Sequence, residues 1–240
     1  MSNEAIEEAL ERLSKATAPS VARFDSSELL QGRVAVLPSA FNPPTLAHLH
    51  LLELARGVPG VEEEAALLTT RNVAKEIEGA SLGHRIGMLL AARGTRPSLA
   101  VLAANQARIV DQAAVLRRTY PAAAFDFVVG YDTLVRLFDE RYYEGEMDRE
   151  LKPFFAQHRV IATNRGAVSE REVAAYVAEL SPSYAAAIVV RPVDDRHRHV
   201  SSSDIRGSGH AGRQGTDLPP AVAAYIRANG LYGVAAGDAP

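Results

Sequence analysis

The sequence has no cysteine, and its 240 residues carry no surplus of positive charge: 26 lysines and arginines face 29 aspartates and glutamates, for a net charge of -3. The first absence excludes a disulfide framework, a thiolate metal site and a cysteine nucleophile. The second removes the general positive field that draws a protein to nucleic acid, so any phosphate chemistry has to be local. Long apolar runs are missing as well. The longest, Tyr184 to Val190, is about seven residues, against the ~20 needed to span a bilayer. The start of the chain, Met1 to Leu13, carries Glu4, Glu7, Glu8 and Glu11, the reverse of the basic opening of a signal peptide. These absences predict a cytoplasmic protein with neither a membrane nor a nucleic-acid partner. What is present, 47% hydrophobic and 23% charged residues, suits a globular chain that buries its core without staples. At about 150 residues per domain, the length predicts one compact domain plus an extension: a helical segment over 1–30, the domain over 31–235 and a tail over 236–240.

Ile6, Leu10 and Leu13 recur at i, i+4 and i+7 between glutamates, which predicts an amphipathic helix over Asn3 to Ala16, an appendage to the fold. From Arg33 onward, short apolar runs alternate with helical periods. Val34 to Leu37, Ala65 to Thr70, Ser98 to Ala103, Phe125 to Val129, Arg159 to Thr163 and Ala186 to Arg191 are the candidate strands. Helical spacing joins Ile109, Ala113 and Leu116 ahead of Pro121, then Leu134, Leu137 and Phe138, then Val173, Tyr176, Val177 and Leu180. The last of these opens on a capping box, Ser169 with Glu172. A closing helix runs from Pro219 or Pro220 to Asn229, with Gly230 as its stop. Strands apolar on both faces and alternating with helices predict an α/β fold: a doubly wound, Rossmann-like parallel sheet with helices on both faces. Ligands of such sheets bind beyond the carboxyl ends of the strands.

The first of these strands runs into Pro38-Ser39-Ala40-Phe41-Asn42-Pro43-Pro44-Thr45-Leu46-Ala47-His48, after which Leu49, Leu52 and Ala55 continue a helical stripe. Small residues at Ser39 and Ala40 allow a ligand close to the backbone, Pro44 presets a helical φ, and unpaired amides at a helix start attract phosphate oxygens. Thr45 and His48, three apart, share one face of the first turn. They suit a polyphosphate, or else Thr45 is an N-cap and His48 a satisfied surface histidine. Gly130 stands where a buried strand ends, and Asp132 accepts from ribose hydroxyls, caps the following helix, or does both. Ser201, Ser202 and Ser203 with Arg206 one turn on offer hydroxyl, amide and guanidinium donors suited to β- and γ-phosphates. Gly207 to Gly212 matches G-x-G-x-x-G, but no strand directly precedes it, and a mobile loop is expected. His197-Arg198-His199 follows Asp194 and Asp195 with no third partner evident, so a solvated or phosphate-facing basic loop is expected and no metal ligands.

Ala40 to His48 closely resembles the first signature of the nucleotidylyltransferase superfamily, in particular the nicotinamide and nicotinate mononucleotide adenylyltransferases, which carry T-x-x-H or H-x-G-H there. Phe127-Val128-Val129-Gly130-Tyr131-Asp132 is similar to their strand followed by G-x-D, Val200 to Arg206 to their I-S-S-T-x-I-R signature, and Leu218 to Tyr232 to their closing helix. The resemblance spans Arg33 to Gly233. It implies transfer of AMP from ATP to a pyridine mononucleotide, with the acceptor's phosphate attacking the α-phosphorus and releasing pyrophosphate without a covalent intermediate. It implies catalytic roles for Thr45, His48, Lys75 and Arg206. Nucleotide binding would fall to Ser39, Ala40, Phe41, Gly130, Asp132 and Ser201 to Ser203, and substrate binding to Asn42, Tyr131 and Arg165. A phosphate monoester has a second pKa near 6, so the acceptor needs no general base, and His48 would act as a donor to developing charge. Mg²⁺ is expected to arrive with ATP rather than in a protein cage.

The sequence departs from the family in having Ser39 where glycine is common and no tryptophan to stack on a pyridine ring. Tyr131, Phe138, Tyr142 and Tyr143 would supply stacking faces instead, and Arg165 would meet a substrate phosphate or a nicotinate carboxylate. Two other readings stay open: a superfamily relative using CTP or another phosphorylated acceptor such as phosphopantetheine, and a nucleotide-binding regulator without turnover. Self-association is left open too.

Overall fold

Alternation of apolar residues along the central strands sends neighbours to opposite faces of one sheet, and the computed structural model of the chain, which describes residues 2–70, 79–207 and 217–234, shows both faces filled. In β2 (Gly32–Ser39), Val34 and Val36 enter one core layer while Ala35 and Leu37 enter the other. The same division runs through β3 (Glu63–Thr69), with Ala65 and Leu67 against Ala66 and Leu68. With β1 (Val21–Arg23), β4 (Leu99–Ala104), β5 (Ala123–Gly130), β6 (Arg159–Thr163) and β7 (Ile188–Arg191), these form a seven-stranded sheet in the order β1-β4-β3-β2-β5-β6-β7. All pairs are parallel except β1 with β4. On one face pack α1 (Asn3–Lys15), α2 (Leu46–Arg56), α3 (Leu82–Ala92) and the closing helix Pro220–Ala228. The other face is covered by α4 (Ile109–Thr119), α5 (Tyr131–Leu137), α6 (Met147–Phe155) and α7 (Glu170–Glu179). The doubly wound α/β sheet expected from the sequence is therefore present.

The N-terminal segment is integrated rather than appended. Ile6, Leu10 and Leu13 of α1 are buried in the same layer as α3, and β1, which no sequence pattern indicated, completes the sheet edge. Side chains place that three-residue strand. Asn105 donates to the carbonyls of Ala16 and Ala18 and accepts from the Ser20 N–H at 2.8 Å, and the Asp25 carboxylate accepts from the Val101 N–H at 2.7 Å. Helix α3 also escaped the periodic reading, because it is buried almost all round. Its glycines let other helices approach. A Cβ on Gly87 would lie 2.2 Å from the Tyr225 hydroxyl of the closing helix, and one on Gly83 would meet the Glu7 carboxylate of α1. The capping box of Ser169 and Glu172 forms as expected, and Gly230 ends the closing helix in the left-handed region at φ 59°. In the amino-terminal half of β5, the buried Asp126 accepts from Arg33 at 2.7 Å and from Arg159 Nε at 3.1 Å. No helix among the described residues is long and apolar enough to cross a membrane.

Candidate active site

From β2 the chain steps through α2 and α3 to β3 and β4 on one side, then α4 crosses the opposite face to deliver β5 to the other side of β2. The strand order thus reverses between β2 and β5, the point at which open sheets of this winding leave a crevice for a ligand. A cavity of about 350 Å³ lies at the carboxyl ends of these strands, lined by Ser39, Ala40, His48, Gly130, Asp132 and Arg165 among others. Its size falls at the small end of ligand pockets.

His48 is placed by the start of α2. The Thr45 hydroxyl accepts from the His48 N–H, and the His48 side chain accepts from the Thr45 N–H at 3.1 Å, a reciprocal capping box in which histidine takes the part usually played by glutamate. A backbone N–H can only donate, so Nδ1 is the acceptor and the neutral ring carries its proton on Nε2. Nε2 lies 3.0 Å from the Ser39 hydroxyl, which accepts from it at the cavity wall. The body of the ring rests 5.0 Å from Phe41. Burial first, and the positive charge of Arg165 second, hold the imidazole pKa down to about 4. At neutral pH His48 is therefore an uncharged donor aimed into the cavity.

The loop ahead of α2 is clasped from several distant elements. Phe41 has φ 45°, a left-handed conformation costly for a bulky residue, and its ring is buried. The Asn42 side chain accepts from the Tyr232 hydroxyl at 2.7 Å and from the Ala80 N–H at 3.2 Å. Arg206 donates to the Asn42 carbonyl at 2.6 Å, and the Ser202 hydroxyl to the Pro43 carbonyl at 2.8 Å. The buried Arg85 donates to the Ala80 carbonyl at 2.9 Å. Its signal in the sequence was an arginine inside an otherwise apolar helix.

These placements revise several expectations. Thr45 is wholly buried and its hydroxyl is committed to His48, so the N-cap alternative holds for Thr45, while His48 is not a surface histidine. Phe41 and Asn42 support the site rather than line it. Ser201 caps the short helix Ser202–Gly207 through the Asp204 N–H, and Ser203 accepts from Arg206. The serine segment therefore adjoins the cavity through Val200 instead of forming its wall. The proposed stacking faces are spent elsewhere. Tyr131 packs edge-on against Tyr176, Phe138 stacks on Phe155, and Tyr143 is buried with its hydroxyl on the Leu137 carbonyl. None of them, nor Tyr142, lines the cavity. Ser39, Ala40, His48, Gly130, Asp132 and Arg165 do come together there. His197 and Arg198 line it as well. Lys75 and residues 208–212 of the glycine-rich loop lie outside the described residues.

The cytidylyltransferase-like family model matches residues 36–208. A Gloeobacter violaceus protein named "Probable nicotinate-nucleotide adenylyltransferase" is 27% identical over 213 residues, 85% of this chain and 98% of that one. A Schizosaccharomyces pombe protein named "Putative nicotinamide mononucleotide adenylyltransferase" is 30% identical over 135 residues, 55% of this chain and 53% of that one, so the match spans about half of the yeast protein. In architecture the chain is similar to the Plasmodium falciparum nicotinic acid mononucleotide adenylyltransferase solved with NaAD. The TM-score is 0.61 at 15% identity, covering 85% of this chain and 98% of that one.

Proposed function

The chain belongs to the cytidylyltransferase-like family and is a nucleotidyltransferase, and from this we propose that it transfers AMP from ATP to a pyridine mononucleotide, nicotinate or nicotinamide mononucleotide, releasing pyrophosphate. The observation that carries the reading is His48, a neutral Nε2–H donor fixed at the switch point of the sheet. The relative matched over nearly its whole length supports the choice of acceptor.

In the reaction, an oxygen of the acceptor's phosphate forms a bond to the α-phosphorus of ATP as the bond from that phosphorus to the pyrophosphate oxygen breaks. The acceptor oxygen is already ionised, so no residue removes a proton. His48 exchanges its hydrogen bond to the Ser39 hydroxyl for one to an oxygen of the phosphorus under attack, where charge accumulates, and a donor held in place beforehand loses little to reorganisation. The Arg165 side chain makes no hydrogen bond or ion pair among the described residues, and its charge acts on His48. Its guanidinium is therefore assigned to the reacting phosphates rather than to a ring substituent. Asp132, exposed at the mouth, takes ribose hydroxyls. Mg²⁺ enters as part of the nucleotide substrate: Asp132 is the one carboxylate on the cavity wall among the described residues, too few for a cage. Thr45, Asn42 and Ser202 position the loop and ring, and Arg206, which holds the Asn42 carbonyl, also reaches the β- and γ-phosphates of ATP.

The test is to incubate the full chain with ATP and Mg²⁺ and, separately, nicotinate mononucleotide, nicotinamide mononucleotide and phosphopantetheine, following pyrophosphate and the product. Dinucleotide should form with a pyridine acceptor, and Arg165→Ala should lower kcat/KM by a similar factor for the acid and the amide. Pyrophosphate release with phosphopantetheine alone would overturn the acceptor. A selective loss for the acid would move Arg165 to the carboxylate.

A further inference from the structure

Val193, His197, Arg198 and Val200 line the cavity, and where their loop meets α2 three side chains of metal-ligating type converge. His50 Nε2 lies 3.5 Å from one Asp194 oxygen. His197 Nδ1 lies 2.8 Å and 3.0 Å from the two oxygens of the same carboxylate. The imidazoles stack with centroids 4.3 Å apart and planes 18° from parallel. One ligand atom from each residue lies within 4.8 Å of the others. Among the described residues His50 Nε2 is also buried without a hydrogen-bond partner, an arrangement that costs free energy unless something occupies the position. We propose that His50, Asp194 and His197 bind a divalent transition cation of the zinc class.

The donor set decides the class of cation. Two imidazoles and one carboxylate suit zinc and its neighbours, whereas magnesium and calcium favour all-oxygen shells. Bonds of about 2.0–2.2 Å in a tetrahedral shell put ligand atoms roughly 3.3–3.6 Å apart; the contacts to Asp194, 2.8–3.5 Å, lie near that range, and the two rings would turn out of their parallel stack to point at one ion. Arg198, in the same loop, is paired with Asp195 at 3.1 Å and so does not compete for Asp194. Three protein ligands leave a fourth position for water or a substrate oxygen, and His197 lines the cavity. The cation would rivet the loop to α2 two residues beyond His48. From the sequence, Asp194 and His197 were visible as neighbours, but His50 is remote along the chain and supplies the missing third ligand.

The experiment is independent of turnover. The full chain, stripped with a chelator, is titrated with Co²⁺, whose visible absorption reports tetrahedral nitrogen and oxygen coordination, and the ion is then displaced with Zn²⁺ or challenged with Mg²⁺. One equivalent should bind, give way to Zn²⁺ and resist Mg²⁺. His50→Gln, Asp194→Asn and His197→Gln should each weaken binding by at least about a hundredfold, more than the loss of an outer-shell partner usually costs. His199→Ala, at an exposed position of the same loop, should leave it unchanged, and circular dichroism verifies that each variant is folded. No tetrahedral spectrum at one equivalent, unchanged affinity in a folded His50→Gln/His197→Gln double variant, or an equal loss in His199→Ala would overturn the assignment.

Discussion

Replacing His48 with alanine separates two tasks that the ring performs at once. Its structural task is local: Nδ1 accepts the Thr45 N–H at 3.1 Å and meets the Thr45 hydroxyl at 2.8 Å, Nε2 donates to Ser39 at 3.0 Å, and the ring touches Phe41. Losing these hydrogen bonds and one ring contact costs about 2–4 kcal/mol, less than the roughly 5–15 kcal/mol that holds a domain together, so His48→Ala should fold. Its chemical task shows in the rate. Removing one preorganised donor costs about 3–4 kcal/mol in the transition state, and kcat should fall by about 10² to 10³. A ring whose pKa is about 4 stays neutral across the working range, so wild-type kcat should show no limb from His48 between about pH 5 and pH 8. A limb near pH 6 would belong to the acceptor's phosphate and should persist in the variant. Stability has its own signature. The folded pKa lies below the ordinary value of 6.5, so the unfolded chain takes up a proton first. As pH falls from about 6.5 to about 4, His48 therefore costs the fold up to about 3 kcal/mol, a penalty absent at neutral pH. The stability gap between wild type and His48→Ala, read by denaturant titration, should accordingly narrow between pH 7 and pH 4. Near-wild-type kcat in a folded variant, or a limb at pH 6–7 that disappears with the histidine, would refute the assignment of His48 as a neutral donor.

Three further outcomes are expected. Thr45→Val removes the cap while keeping the shape: stability should fall by about 1 kcal/mol and kcat should fall with it, because His48 loses its brace, and Thr45→Ser should restore both. A change in melting temperature without a change in kcat would make Thr45 a cap alone. Arg206→Ala should weaken ATP more than AMP in calorimetry. Equal losses would confine the guanidinium to the Asn42 carbonyl that it meets at 2.6 Å. Asp126→Asn leaves Arg33 and Arg159 without their buried partner and should cost about 3–5 kcal/mol in equilibrium unfolding with kcat intact, since none of the three lines the cavity. A loss below about 1 kcal/mol would show that solvent replaces the carboxylate without difficulty.

The order of β2 to β7 along the chain, the two-faced burial of the strands and the position of His48 at a strand-to-helix turn all followed from local pattern. Each depends on residues within a few positions of one another, where apolar period and cap chemistry act directly. The Thr45–His48 box is local in the same sense: three residues separate its partners, and one of the two readings of that pair named Thr45 as the cap. Elements without a one-sided pattern were hidden. The three residues of β1 are held by Asn105 and Asp25, and α3 is apolar on nearly every face because other helices pack over its glycines. The site shows the same division. Which residues could meet a nucleotide was readable in the sequence, but which of them face the cavity and which clasp its loop was decided by packing. Arg206 and Ser202 reach the carbonyls of Asn42 and Pro43, and His50 reaches Asp194, only after the sheet brings distant segments together. Periodicity records the face a residue presents, whereas the partner it meets across the fold depends on the register and crossover of elements far apart in the chain.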